Sequence, residues 1–192
     1  MKIAIDIDET VLEFLGGFFS FYKKHHNPHF NYSPNKVYNY LFEDILGVDS
    51  EEVRKLFTEF KHTPFFKNLP AVDGAKEAIL ELSQKNDIIF ITARPIDLGA
   101  ETKSQLKSLF PKNNFQIIHT HDNNNRKIKE KAEFCKELGI RIMIEDDARA
   151  ALKCTEEGMI CFLIDKPWNK KQEEHEKIIR VKSWPEIVQR LK

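Results

Sequence analysis

From residue 71 onward, short apolar runs alternate with stretches of helical period, and no other feature constrains the fold as much. Asp87–Thr92, Phe115–His119, Ile140–Ile144, Met159–Ile164 and Ile178–Val181 read as strands, the last a short edge strand. Before and between them lie helical segments at Ala75–Lys85, Gly99–Phe110, Lys127–Leu138 and Ala148–Glu157. In the first, Ala78, Ile79 and Leu82 mark one apolar face. The second stops at Pro111, which has no N–H to continue a helix, and the third at Gly139, a good helix terminator. Ser183 can cap a last helix reaching Leu191, with Pro185 tolerated in its first turn. Strands separated by helices do not pair as hairpins. They pair in parallel, with helices covering both faces.

Ile3, Ala4 and Ile5 supply one more buried strand at the amino end. The expected fold is α/β, with a Rossmann-like doubly wound parallel sheet as its core. Residues 12–70 break the pattern. They are rich in aromatics (among them Phe14, Phe18, Phe19, Tyr22, Phe30, Tyr40 and Phe42) and contain no convincing β-run. Helical patches can be drawn at Glu13–Lys24, Asn35–Leu46 and Ser50–Lys61, the last capped by Ser50. The expected organisation is an α/β core of residues 1–11 and 71–192, with a small helical cap, residues 12–70, inserted after the first strand. Leu12 and Pro70 mark its hinges. At 192 residues the chain is long enough for one such domain and its insertion.

Composition removes several function classes. Thirty Lys and Arg residues cancel thirty Asp and Glu, so no global charge draws the chain to a nucleic-acid polymer or an anionic membrane. No run approaches the roughly 18 apolar residues that a membrane span needs. A strand follows Met1-Lys2 directly, which leaves no room for a signal peptide. Cys135, Cys154 and Cys161 are odd in number and lack metal-ligand spacing, so they are expected to be reduced and buried. A cytoplasmic location fits these traits. His25, His26 and His29 fall in a polar loop and are expected to be solvated; His119 and His121 have no further ligands at metal spacing.

Chemistry concentrates at the strand ends. Asp6 and Asp8 leave the first strand on one side, roughly 6–7 Å apart at about 3.3 Å per residue. Two ionised carboxylates that close repel unless a cation lies between them or one keeps its proton. The arrangement suits metal binding and a division of labour between nucleophile and general acid. Thr92 ends a second strand, and Glu145-Asp146 follows another. Singly, each has a plainer reading: helix cap, solvated loop or turn residue. Together they matter more, because ligands bind outside the carboxyl ends of a parallel sheet.

With these residues in view, the chain resembles the haloacid dehalogenase-like phosphohydrolase superfamily. Asp6, Asp8 and Thr10 match its first motif, a strand followed by Asp-x-Asp-x-Thr; Thr92 matches the second, and Glu145-Asp146 the fourth. The third is a lysine opening a helix, for which Lys131 is favoured, Lys127 is second and Lys129 remains open. Within the superfamily, Phe14-Leu15-Gly16-Gly17-Phe18, Phe65–Pro70, Asp165–Asn169 and Arg180–Trp184 look like the 5'(3')-deoxyribonucleotidase branch and its bacterial relatives. Glu9 departs from that pattern, standing where the branch usually has Gly.

The resemblance implies a Mg2+-dependent phosphomonoesterase. Asp6 would be the nucleophile and Asp8 the general acid and base. Mg2+ would be held by Asp6, the Asp8 carbonyl and Asp146, with Glu145 orienting a ligand water or Lys131. Thr92, the Ala93 N–H and Lys131 would gather the phosphoryl oxygens. The cap would exclude water, and Phe14, with Phe18 or the residues around Tyr40, could stack on a nucleobase. Arg94 would touch phosphate or base, or else pair within the protein. The acid at position 8 argues against dehalogenation, since halide leaves unprotonated. The implied substrate is a nucleoside monophosphate, with sugar phosphates or other small esters as the alternative. A catalytically silent phosphate-binding protein is a third reading. The family often pairs through its core, which leaves a homodimer open.

Overall fold

The computed structural model describes residues 1–38, 41–171 and 175–192. Its strands are β1 (Lys2–Ile5), β2 (Asp87–Pro95), β3 (Gln116–His121), β4 (Ile142–Glu145), β5 (Ile160–Ile164) and β6 (Ile178–Val181). They form one parallel sheet in the order β3-β2-β1-β4-β5-β6. β1 is central, with Ile5 in register with both Phe90 and Ile144. The strand order reverses beside β1, and that reversal opens the crevice where a doubly wound sheet binds ligands.

The helices are α1 (Phe14–His25), α2 (Phe42–Leu46), α3 (Ser50–Lys61), α4 (Pro64–Lys67), α5 (Ala75–Leu82), α6 (Gly99–Leu109), α7 (Lys131–Glu137), α8 (Ala148–Glu156) and α9 (Trp184–Arg190). Successive strand residues point to opposite faces, and the core divides accordingly. Ile3, Ile5, Phe90 and Ile144 pack with Ile79 of α5 and Ile187 of α9. Ala4, Ile91 and Met143 pack on the other face with Cys135 of α7 and Ala151 of α8. All three cysteines are buried, none in a disulfide. No helix among the described residues is long and apolar enough to cross a membrane.

The elements depart from the sequence expectation in ways that matter for the site. β2 continues past Thr92 to Pro95, with a register shift against β3 between those residues. α7 begins at Lys131 rather than Lys127, because Glu130 and Glu133 close a capping box there while Lys127 bridges His121. Asn35–Leu46 is not one helix: Pro34–Lys36 makes a single 3-10 turn and α2 starts only at Phe42. Tyr40, expected near the substrate, lies outside the described residues. The cap of α3 is Asp49, whose carboxylate accepts the Glu52 N–H at 2.8 Å; Ser50 is already helical. α4 was not expected from the sequence; Thr63 caps it and Pro64 opens it.

α1 to α4 pack through rings. Phe18 lies 4.7 Å from Phe57, 5.4 Å from Phe60 and 5.7 Å from Phe42, centroid to centroid. It is fully buried, so it serves this small core rather than a ligand. Gly17 permits the approach of α1 to the chain after α4: a Cβ there would stand 2.3 Å from a Leu69 methyl carbon.

Candidate active site

Asp6 stands just beyond β1, its N–H donating to the Ile144 carbonyl at 3.0 Å, so the sheet itself fixes its position. Lys131 opens α7 and reaches the same point. Its Nζ donates to Asp6 Oδ1 at 2.6 Å and to Glu145 Oε2 at 2.8 Å. The other Glu145 oxygen accepts the N–H groups of Asp146 and Asp147 at 3.2 and 3.1 Å. The other two candidate lysines are spent elsewhere, Lys127 on Glu130 at 2.8 Å and Lys129 on Glu137 at 2.5 Å.

Burial pushes the carboxyl groups of Asp6 and Glu145 up to about 8, and the nearby Lys131 cation offsets only part of that rise. For Lys131 itself, burial acts downward, but the two carboxylates outweigh it and hold the ammonium well above its usual range. Asp146 completes the group: oxygens of Asp6, Glu145 and Asp146 lie within 4.8 Å of one another. Asp146 accepts from Thr10 Oγ1 at 3.3 Å and from Trp168 Nε1 at 2.9 Å, while Asn169 Nδ2 holds its carbonyl at 2.8 Å. A cluster of carboxylate oxygens around so small a volume suits a hard divalent cation such as Mg2+. The N–H groups of Val11 and Leu12 both go to the Ile7 carbonyl, not to that of Asp8.

Asp8 takes a different part. Its carboxylate lies outside the acidic cluster, is about a quarter exposed (28%), and is gripped by Arg94. Nε of Arg94 donates to Asp8 Oδ2 at 2.9 Å and Nη2 to Oδ1 at 2.7 Å. Nη1 donates to Thr102 at 3.2 Å and to Gln105 at 2.6 Å, while the guanidinium lies 4.9 Å from the Phe66 ring centre. Gln105 in turn donates to the Phe66 carbonyl. The irregularity of β2 after Thr92 accompanies this geometry: the Arg94 N–H turns back onto Thr92 Oγ1 at 3.1 Å. Of the residues expected at substrate, Arg94 therefore spends its guanidinium inside the protein. Ala93 is exposed at the mouth of the crevice, and Thr92 is buried beneath it.

A cavity of about 390 Å3 opens from Asp8, Ala93 and Arg94 toward α3. Phe14, Phe57 and Phe66 line it. Phe14 also meets Phe60 edge-on at 5.4 Å, so one ring serves both the aromatic core and the cavity wall.

Comparison with known proteins gives the chain's family and fold relatives. Residues 1–192 match the family described as 5' nucleotidase, deoxy (pyrimidine), cytosolic type C protein. A nucleotidase of Clostridium acetobutylicum is 30% identical over 191 residues, covering 97% of this chain and 91% of its own. The chain belongs to this nucleotidase family. In fold it is similar to the haloacid dehalogenase-like family protein SP0104 of Streptococcus pneumoniae (TM-score 0.67, 14% identity, 100% and 98% of the two chains). It is likewise similar to YfnB of Bacillus subtilis, solved with magnesium bound (TM-score 0.65, 16% identity, 99% and 97% covered).

Membership of the nucleotidase family makes the protein a phosphoric monoester hydrolase. Around its acidic cluster stand partners that single-residue reasoning missed. Trp168 and Asn169 hold Asp146 from a loop 22 and 23 residues away, and only the similarity of Asp165–Asn169 to relatives had flagged that loop. Thr102 and Gln105, on α6, carried no signal of their own; they become visible only once Arg94 is seen to need partners. Glu9 shows why its position favours Gly: φ is +59°. Its buried carboxylate accepts the Leu15 N–H at 2.6 Å and faces Lys166 at 3.7 Å.

Proposed function

We propose that the protein removes the phosphate of nucleoside monophosphates, of the pyrimidine deoxyribonucleotide type, through an aspartyl-phosphate formed on Asp6. The observation that carries this reading is the separation of two carboxylates two residues apart. Asp6 is locked to Lys131 inside the acidic cluster, whereas Asp8 is held by Arg94 on the wall of an aromatic cavity.

In the first step an Asp6 oxygen forms a bond to phosphorus as the ester P–O bond breaks, and Asp8 gives its proton to the departing alkoxide. In the second, ionised Asp8 takes a proton from water, whose oxygen attacks phosphorus and releases Asp6. Lys131, the Thr92 hydroxyl and the Ala93 N–H receive the equatorial oxygens, where negative charge spreads. Glu145 orients Lys131. Asp6, the Asp8 carbonyl and Asp146 would hold Mg2+, which would supply neutralisation of the phosphoryl charge. Residues 12–70 act as a cap that excludes water, with Phe14 beside the leaving group.

Phosphate release from nucleoside monophosphates and sugar phosphates, with Mg2+ and with chelator, tests the reading. Turnover of nucleotides that chelation abolishes is the expected result. A preference for sugar phosphates would reject the nucleotidase assignment, and activity that survives chelation would reject the metal.

A further inference from the structure

The cavity beside Asp8 carries a charge that a plain nucleoside does not need. Helix α3 turns Arg54, Phe57, Thr58 and Lys61 toward it, spaced i, i+3, i+4 and i+7, which is one helix face. The other charged groups of α3 have partners: Lys55 pairs with Glu51 at 3.0 Å, and Glu59 with His26 at 3.0 Å. Arg54 and Lys61 form no ion pair among the described residues. Among the described residues, Asp8 is the one carboxylate on the cavity wall, and Arg94 already answers it. Three phenylalanine rings share the lining with Pro95, Leu98 and Asn125. The wall thus combines surfaces for a flat ring with two uncompensated cations set two helical turns apart, about 10 Å along the axis.

In the reading above, the reacting phosphate takes its positive charge from Lys131, which is bonded to Asp6, and from the cation that Asp6 and Asp146 would hold. Cations in the leaving-group cavity therefore complement charge that the leaving group itself carries. We propose that Arg54 and Lys61 form a subsite for a second anionic group, so that the preferred substrates are nucleotides bearing one further negative group on the sugar or the base. This rests on the nucleotidase reading above, in which Asp8 faces the leaving group.

The test compares kcat/KM, in the full chain with Mg2+, for a nucleoside 5'-monophosphate, the matching 3',5'-bisphosphate and a 5'-monophosphate with a carboxylate on its base. At least one doubly anionic substrate is expected to be preferred about tenfold or more over the plain monophosphate, and which one wins locates the second anion. Arg54→Gln and Lys61→Gln are each expected to lower that preference ratio about fivefold. Long-range attraction would depend on net charge alone. Lys55 lies on α3 outside the cavity lining, so a Lys55→Gln variant that lowers the ratio as much as Arg54→Gln and Lys61→Gln would overturn the subsite. Hydrolysis of the monophosphate without any preference also overturns it while the nucleotidase reading stands. Absence of phosphate release from all three removes both.

Discussion

At the carboxyl end of β1, side chains are fixed by charge; across the crevice, in the helices of residues 12–70, they are fixed by rings. Lys131 bridges Asp6 and Glu145 with contacts of 2.6 and 2.8 Å, all three largely out of water. Phe18, Phe57 and Phe60 instead interlock through faces and edges, with no charge among them. The two kinds of packing tolerate change differently. Removing one member of a buried ionic set leaves another uncompensated, whereas a ring cluster can repack around a substitution of similar volume. In the proposed function the sheet end would carry the reaction and the helical segment the choice of substrate. Arg94 belongs to both, since it holds Asp8 while stacking on Phe66.

Asp6→Asn is the strongest way to break that comparison. It should lower kcat at least about a thousandfold for every ester, with far-UV circular dichroism and the cooperative melt retained. Substantial turnover in the variant would remove Asp6 as the nucleophile. Arg94→Met comes next and decides on which side Arg94 counts. If it serves Asp8, kcat falls about 10- to 100-fold for all esters with KM little changed. If it serves the substrate, KM rises for ring-bearing esters alone.

A smaller effect, about tenfold, is expected from pH. Burial pushes the Asp6 carboxyl up to about 8, so its hold on a cation should weaken as the pH falls below that value and the group takes up a proton. Mg2+ should therefore bind about tenfold or more weakly at pH 6 than at pH 8, as measured by calorimetric titration. The Phe57 side of the crevice has no such groups, so binding of an uncharged nucleoside should be flat over the same range.

The sheet could be read in the sequence because each strand and helix announces itself over a few residues, and because Asp6, Glu145 and Asp146 fall where strands end and Thr92 where β2 turns irregular. Lys131 was legible for the same local reason, as the residue that opens α7. What stayed hidden depends on distant partners. No local pattern says that β2 irregularly continues beyond Thr92 and that Arg94 meets Asp8, 86 residues earlier in the chain. That Asn35–Leu46 is not one helix was missed because Phe42 follows its packing against Phe18 and Phe57 rather than one helical period, while Tyr38 is exposed. Arg54 and Lys61 carried no signal of their own in the sequence; only the cavity they line brings them together.

The smallest effect probes the seam between the two regions, at Glu9. Its backbone sits at φ +59°, where a residue with a Cβ costs about 1 kcal/mol relative to glycine. Its carboxylate recovers a similar amount by accepting the Leu15 N–H in the first turn of α1, which ties the helical segment to the loop after β1. Burial raises this carboxyl above its usual range, and the Leu15 N–H and Lys166 offset part of that rise. Glu9→Gly gives up the hydrogen bond and relieves the backbone together, so unfolding in urea should shift by less than about 0.5 kcal/mol. Glu9→Ala gives up the bond and keeps the strain, and should lose about 1 kcal/mol more. Equal losses in the two variants would show that the left-handed backbone costs nothing here. The glycine that the resemblance implies at this position would then need an explanation other than conformation.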